Sequence, residues 1–220
     1  MNILDIELDL NVDLLEKRKK WEEVFHNQNP VIVDMGSGKG HFLTEMARAN
    51  PDKNFLGIEI YKKGLRKTKK KIQNMGLANV RLIPFEILFV LKNFFRPNEI
   101  KEVYINFPDP WPKKRHWKRR FVNPTFIDTL YPLLKEKGRV NIATDFEGYV
   151  PVILKSFEDH PGFKNIFKSG NTLFDSNEKG YVNKPDNRVQ SFYEKKYLKE
   201  GKLIHYFIFE KRGLKEKSCD

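Results

Sequence analysis

Val31-Ile32-Val33 is a short β-branched apolar run that stops at Asp34-Met35-Gly36-Ser37-Gly38-Lys39-Gly40. Phe42, Leu43, Met46 and Ala47 then recur at helical spacing. A buried strand that feeds a glycine-rich turn and opens a helix is the first unit of a parallel α/β sheet, and little else folds this way. In such sheets ligands bind outside the carboxyl ends of the strands, where the strand order reverses.

The rest of the chain repeats the unit. Strands are expected at Asn54 to Ile60, Val80 to Pro84, Glu99 to Asn106, Arg139 to Ala143, Phe163 to Phe167 and Leu203 to Glu210. Helices are expected over Leu14 to His26, over a lysine-rich Tyr61 to Met75 closed by Gly76, and from Asn123-Pro124 to about Glu136. Two more are expected at Gly148 to Glu158 and Gln190 to Glu200. Asn123-Pro124 pairs an N-cap with a proline at the first helical position. Alternation of this kind implies a largely parallel sheet with helices on both faces. No repeat or long linker divides the chain. The pattern therefore suggests an N-terminal extension and helix over 1–29, a single catalytic-type domain over 30–212 and a basic tail over 213–220. The polar stretch Gly170 to Asn187 is expected to be a loop near the working face.

Of the 220 residues, 40% are hydrophobic and 13% aromatic, which excludes general disorder. The single cysteine, Cys219, excludes a disulfide framework or a multi-cysteine metal site, and a reducing compartment is compatible. The opening MNILDIELDLNVDLL carries acids where a signal peptide needs bases, and no run approaches the ~18 apolar residues of a membrane span, so a cytoplasmic protein is expected, with neither a membrane nor a metal among its partners. Lys and Arg number 41 against 29 Asp and Glu, a net charge of +12, which points to an acidic partner, nucleic acid first.

The first loop spells G-x-G-x-G, not the G-x-G-x-x-G of dinucleotide sites. Asp34 beside it would repel a diphosphate and attract an ammonium. Glu59 ends the second strand, where an acid can accept two ribose hydroxyls, and Glu86 ends the third, within reach of an adenine amino group. Alone, each acid reads as a helix cap or a solvated strand end. Together with Gly36, Gly38 and Gly40 they favour S-adenosylmethionine over a nicotinamide cofactor.

The fourth strand runs into Asn106-Phe107-Pro108-Asp109-Pro110-Trp111-Pro112, followed by Lys113, Lys114, Arg115, His116, Trp117, Lys118, Arg119 and Arg120. The prolines stiffen the backbone about Asp109. Six bases with two interleaved tryptophans suit RNA, whose splayed bases stack while its phosphates pair with cations. The plainer reading is a solvated basic loop. A second cluster, Lys62, Lys63, Arg66, Lys67, Lys69, Lys70 and Lys71, reads first as a solvated helix face.

The segment from Asn106 to Arg120 resembles the hallmark of the bacterial tRNA (guanine-N7-)-methyltransferases, the TrmB family. Asp34-Met-Gly-Ser-Gly-Lys-Gly resembles that family's first cofactor loop. Ala143-Thr144-Asp145 resembles its strand-five motif, and Ser191-Phe192-Tyr193-Glu194, after Arg188, its late Thr-x-x-Glu motif. The resemblance implies a Rossmann-like class I methyltransferase: a mostly parallel seven-stranded sheet with one antiparallel strand. It implies S-adenosylmethionine as methyl donor and the variable-loop guanine at tRNA position 46 as acceptor. It puts cofactor contacts at Asp34, Glu59, Glu86 and Asp109, with Asp109 also catalytic. Substrate contacts fall at Lys113, Asp145, Ser191 and Glu194. RNA contacts are expected from Lys114, Arg115, Lys118, Arg119 and Arg120. Thr144-Asp145 is also a common helix N-cap, and Ser191 with Glu194 spells a capping box. Three other readings stay open: an adenine-N6 methyltransferase, a non-catalytic RNA-binding protein of the same fold, and a nicotinamide oxidoreductase. The family includes monomers and dimers, so oligomeric state does not follow.

Overall fold

The computed structural model describes residues 20–168, 179–182 and 189–212. The expected helix before residue 20, most of the loop Gly170 to Asn187, Arg188 and the tail after 212 lie outside the described residues.

The elements follow in the order α1 (Trp21–Phe25), β1 (Val31–Met35), α2 (His41–Ala49), β2 (Asn54–Ile58), α3 (Lys62–Asn74), β3 (Val80–Ile83), α4 (Ile87–Phe94) and β4 (Ile100–Asn106). A 3₁₀ helix, Lys114–Arg119, precedes α5 (Pro124–Leu130), β5 (Leu134–Thr144), α6 (Val150–Glu158), β6 (Phe163–Asn165), α7 (Phe192–Lys199) and β7 (His205–Lys211). The strands form one seven-stranded sheet in the order β3-β2-β1-β4-β5-β7-β6. β1 to β5 pair in parallel, and β7 runs antiparallel to both β5 and β6. The order reverses between β1 and β4, so a crevice opens where their carboxyl ends diverge.

β1, β2 and β3 are buried along their whole length, as strands covered on both faces must be. The larger core lies on one face, with Val33, Ile58, Val103, Ile142 and Phe207 packed against α4, α5 and α6. The smaller core lies on the other, with Ile32, Phe55, Leu82, Leu43 and Ile72 packed against α2 and α3.

Two elements differ from expectation. Ile87-Leu88-Phe89-Val90-Leu91 is uniformly apolar and gives no helical period, yet it forms α4. The Glu86 side chain accepts the Phe89 N–H at 2.9 Å and starts the helix locally. The helix from Asn123 stops at Leu130 rather than near Glu136, and Tyr131–Leu133 tightens into a 3₁₀ turn around Pro132. β5 therefore begins at Leu134, five residues earlier than expected. It pairs with Ile100, and the ladder resumes at Glu102 with Arg139.

Candidate functional site

The glycine loop is held from three sides. The Gly36 and Ser37 N–H groups donate to the Ile58 carbonyl at 2.9 and 3.1 Å, tying the loop to the end of β2. The Gly38 N–H donates to Glu59 Oε2 at 2.8 Å, and the Tyr61 N–H donates to Glu59 Oε1 at 2.8 Å. Glu59 thus carries one backbone N–H on each oxygen, which sets the plane of its carboxylate. Gly40 has φ +68°, and a Cβ there would sit 2.2 Å from the Thr68 methyl on α3. A Cβ on Gly64 would sit 2.4 Å from the Gly38 carbonyl. α3 packs onto the loop through this small-residue face, so only glycine serves at these two positions. Gly64 and Thr68 were not anticipated. The signal was present: two small residues four apart in an otherwise lysine-rich helix mark the face that a backbone approaches.

A cleft of about 350 Å³ opens above the switch point. Gly36, Glu59, Glu86 and Asp109 line it, with Ile60, Phe85, Trp111 and Arg119 among the other walls. A Cβ on Gly36 would meet nothing within 4 Å, so that backbone faces open space. Four of the seven expected cofactor residues therefore meet in one cavity. Gly38 contributes through the Glu59 carboxylate, and Gly40 begins α2. Asp34 lies beneath the loop, 3% exposed, with Asn106 Nδ2 at 3.5 Å from its Oδ1. It is buried at the end of β1 and does not line the cavity.

The segment after β4 is under backbone strain. Phe107 has φ +55° and Trp111 has φ +41°, left-handed values that bulky residues rarely adopt. Between them sit Pro108, the exposed Asp109 and Pro110. The Phe107 N–H donates to the Ala143 carbonyl at 2.8 Å, anchoring one end to β5. At the other end the Arg120 Nε donates to the Pro110 carbonyl at 2.9 Å. Arg120 is only 5% exposed, with its guanidinium over the rings of Trp117 at 4.8 Å and Tyr149 at 5.0 Å. That corrects the expectation that Arg120 faces RNA: it braces the Asp109 segment from inside. Its neighbours Lys113, Lys114, Arg115, Lys118 and Arg119 are exposed, and Arg119 covers the Trp111 ring at 5.1 Å.

The late motif lies at the start of α7. The Ser191 Oγ accepts the Glu194 N–H at 3.1 Å, and Glu194 Oε2 accepts the Ser191 N–H at 3.2 Å. Tyr206 donates to Glu194 Oε1 at 2.7 Å. Glu194 is 1% exposed. Both residues form a buried capping box that starts α7, the arrangement their spacing also spelled. Asp145 stands at the end of β5, ion-paired with Lys202 at 3.0 Å, while Thr144 Oγ1 accepts the Phe146 N–H at 3.2 Å. The Lys202 ammonium also lies 4.0 Å from the Tyr197 ring centroid. Burial, followed by the Asp145 charge, pushes the Tyr197 hydroxyl up. Neither Asp145 nor Lys113 lines the cleft.

No helix among the described residues is long and apolar enough to cross a membrane. A family profile described as "Putative methyltransferase" matches residues 28–206. A tRNA (guanine-N(7)-)-methyltransferase of Streptococcus suis is 37% identical over 190 residues, 86% of this chain and 85% of its own. One from Streptococcus pneumoniae is 36% identical over 194 residues, 88% and 87% of the two chains. Among solved structures, an rRNA methylase from Streptococcus thermophilus matches with TM-score 0.53 at 15% identity, covering 84% of this chain and 88% of its own. A SAM-dependent methyltransferase from Aquifex aeolicus matches with TM-score 0.51 at 13% identity, covering 94% and 96%. The structural likenesses show the fold, a Rossmann-like methyltransferase sheet, and the sequence matches show the family. With its strained, acid-bearing turn after β4 set against a glycine loop, this chain belongs to the tRNA (guanine-N(7)-)-methyltransferase family.

Proposed function

We propose that this protein methylates N7 of guanine in tRNA, at the variable-loop guanine of position 46, with S-adenosylmethionine as donor. One observation carries the reading: Asp109, clamped between two prolines and two left-handed aromatic residues, lines the same cleft as Gly36, Glu59 and Glu86.

The cleft suits the donor chemically. Its carboxylates match a ligand with hydroxyls, amines and a positive sulfur, and they oppose a diphosphate. When bound, S-adenosylmethionine supplies a methyl group on a sulfonium, which guanine N7 attacks with its lone pair as the S–CH₃ bond breaks. Glu59 takes the ribose hydroxyls with lone pairs that its two backbone donors leave over. Glu86 spends Oε2 on the α4 cap and offers Oε1 toward the adenine amino group. Gly36 leaves room for close approach. Guanine N7 carries no proton, so the reaction needs in-line positioning rather than a general base. His116, edge-on to Trp111 at 5.6 Å, is a stacking neighbour and not a base. Positive charge moves from sulfur to the purine during transfer. A carboxylate whose position is fixed beforehand favours that charge without reorganisation, and this is the role of Asp109. It also accepts from the guanine N1–H or N2–H₂ donors and so orients the base. The exposed cations of 113–119 neutralise flanking phosphates.

The decisive variant is Asp109→Ala, assayed with tRNA and labelled donor. Turnover should fall by about 100-fold or more, the scale for one preorganised electrostatic group. Near-normal turnover would remove Asp109 from the mechanism. Nucleoside analysis of the product separates 7-methylguanosine from N6-methyladenosine. Calorimetry with S-adenosylhomocysteine tests the non-catalytic alternative, which predicts no binding.

A further inference from the structure

α3 carries seven bases in 13 residues and no acid. A merely solvated helix face mixes signs, and elsewhere on this protein exposed lysines keep an acid beside them: Lys155 with Asp159 at 2.8 Å, Lys168 with Glu158 at 2.7 Å, Lys196 with Glu200 at 3.8 Å. On α3, Lys62, Lys63, Arg66, Lys67 and Lys70 pair with no acid among the described residues. Their placement works against the helix. Lys62 and Lys63 stand in the first turn, where the helix dipole favours anions. Lys62 with Arg66, Lys63 with Lys67 and Arg66 with Lys70 set like charges four residues apart, which is destabilising. Such an arrangement is relieved by an anion from outside the chain.

Packing fixes where these charges point. Gly64, Thr68 and Ile72 are buried, four residues apart, and turn one face of α3 to the glycine loop and the sheet. The outward face is then Lys63, Arg66, Lys67 and Lys70, all exposed. α3 starts at Lys62, just after Glu59 and Ile60 of the cleft wall. It joins two parallel neighbours, β2 and β3, so it runs back from the carboxyl ends of the strands toward their amino ends. Its 13 residues cover about 20 Å. The cations therefore form a track that begins at the mouth of the cleft and leads away down the flank. The exposed Lys39 adds a charge from the glycine loop: burial first, and then the Lys39 and Lys67 charges, lower the Lys71 pKa against the pull of Glu45.

We propose that the outward face of α3 is a track for the sugar–phosphate backbone of tRNA beside the methylated guanine, with Lys63, Lys67 and Lys70 each neutralising a phosphate. The proposal rests on the tRNA-methylation reading and extends the RNA footprint beyond the loop 113–119. That loop follows β4, whereas α3 follows β2, so the two basic segments flank the cleft from opposite sides of β1. One helical turn advances about 5.4 Å, which suits one cation per successive phosphate of a strand. Contacts of this kind carry no base information; they position the tRNA and respond to its shape. A basic helix that lies on a membrane needs an apolar face to bury in lipid, and on α3 that face, with Leu65 and Ile72, is packed on the core. Charge complementarity therefore favours RNA over an anionic bilayer.

The test uses the full-length protein in four forms: wild type, Lys63→Gln/Lys67→Gln/Lys70→Gln, the charge-keeping Lys63→Arg/Lys67→Arg/Lys70→Arg, and a control that removes equal charge from exposed sites off α3, Lys92→Gln/Lys137→Gln/Lys155→Gln. Kd for tRNA is measured between about 50 and 200 mM salt. In the α3 glutamine variant the plot of log Kd against log salt should lose about 2 to 3 from its slope, at roughly 0.7–0.9 per lost phosphate contact, and tRNA affinity at low salt should fall by about 10- to 100-fold. The arginine variant and the control should match wild type. Saturated kcat and KM for S-adenosylmethionine should stay unchanged, and the melting temperature should hold or rise as like-charge repulsion is removed. An unchanged slope in the α3 glutamine variant would overturn the track. An equal loss in the control would overturn it too, because net charge alone would then explain binding. Phosphatidylglycerol vesicles that bind wild type but not the α3 glutamine variant, with tRNA affinity unaltered, would assign the face to a membrane instead. Wild-type activity is read first. A wild type that does not methylate tRNA guanine refutes the functional reading itself, whereas an active wild type with an indifferent α3 glutamine variant refutes only the track.

Discussion

At the scale of single residues, Arg119 and Arg120 show how far adjacent, identical side chains can diverge. Arg119 is exposed on the cleft wall over Trp111, while Arg120 is buried between Trp117 and Tyr149 with its Nε on the Pro110 carbonyl. Removing a buried charged donor leaves an acceptor and two ring faces without their partner. Arg120→Ala should cost about 2–3 kcal/mol, the worth of a charge-assisted hydrogen bond with ring contacts. In a chain of this size that lowers the melting temperature by roughly 5–10 °C. It should lower kcat as well, because the brace under Asp109 is gone. Arg119→Ala should leave the melting temperature within about 1 °C and weaken tRNA binding. Calorimetric melting with steady-state kinetics checks both variants. Asp109 could be read from sequence because its constraint is local: the prolines at 108 and 110 act on adjacent backbone. The inward turn of Arg120 could not, because Tyr149 is supplied by a segment 29 residues away.

Secondary-structure elements show the same division. The Ser191–Glu194 box was legible from spacing alone, and it determines where α7 starts. The third contact on Glu194 was not legible, since Tyr206 arrives on β7. Ser191→Ala should destabilise the protein by about 1 kcal/mol, the usual loss for a deleted N-cap. Native-state hydrogen exchange at the Glu194 amide should then speed up by roughly fivefold, while exchange in β1 and β4 stays unchanged unless global unfolding governs it. α4 escaped detection because an unbroken apolar run fits a buried strand as well as a helix. Its neighbours decide the matter: β2 and β4 already flank β1, and the run packs against α5 instead of joining the sheet. The α5–β5 boundary moved for a related reason. Pro132 closes the helix, and Leu134 finds a ladder partner in Ile100.

At the scale of the molecule, pH acts through groups that folding removes from water. His205, on β7 against the Tyr181 ring, is 6% exposed, and burial lowers its pKa below the usual 6.5 despite the opposing pull of Glu147. The sign follows from proton counting. Near pH 7 both folded and unfolded states hold His205 mostly neutral, and the group is without effect. As pH falls through 6.5 the unfolded chain binds the proton first, so stability declines until the folded pKa is passed. The melting temperature should therefore fall between about pH 7 and pH 5, and His205→Gln should make that decline shallower. An equal slope in the variant would remove His205 as a cause.

What the sequence alone determined is everything with a short-range physical basis. The β-branched run before the glycine turn specifies a parallel sheet, the prolines stiffen the turn that carries Asp109, and the basic stretch after it announces a polyanion. Tertiary structure alone decided which groups meet. The reversal of strand order between β1 and β4 brings Asp109 into one cleft with Glu59 and Glu86, while packing takes Asp34 and Glu194 out of water. Burial and alignment are relations between segments distant in the chain, and no local pattern of residues encodes them.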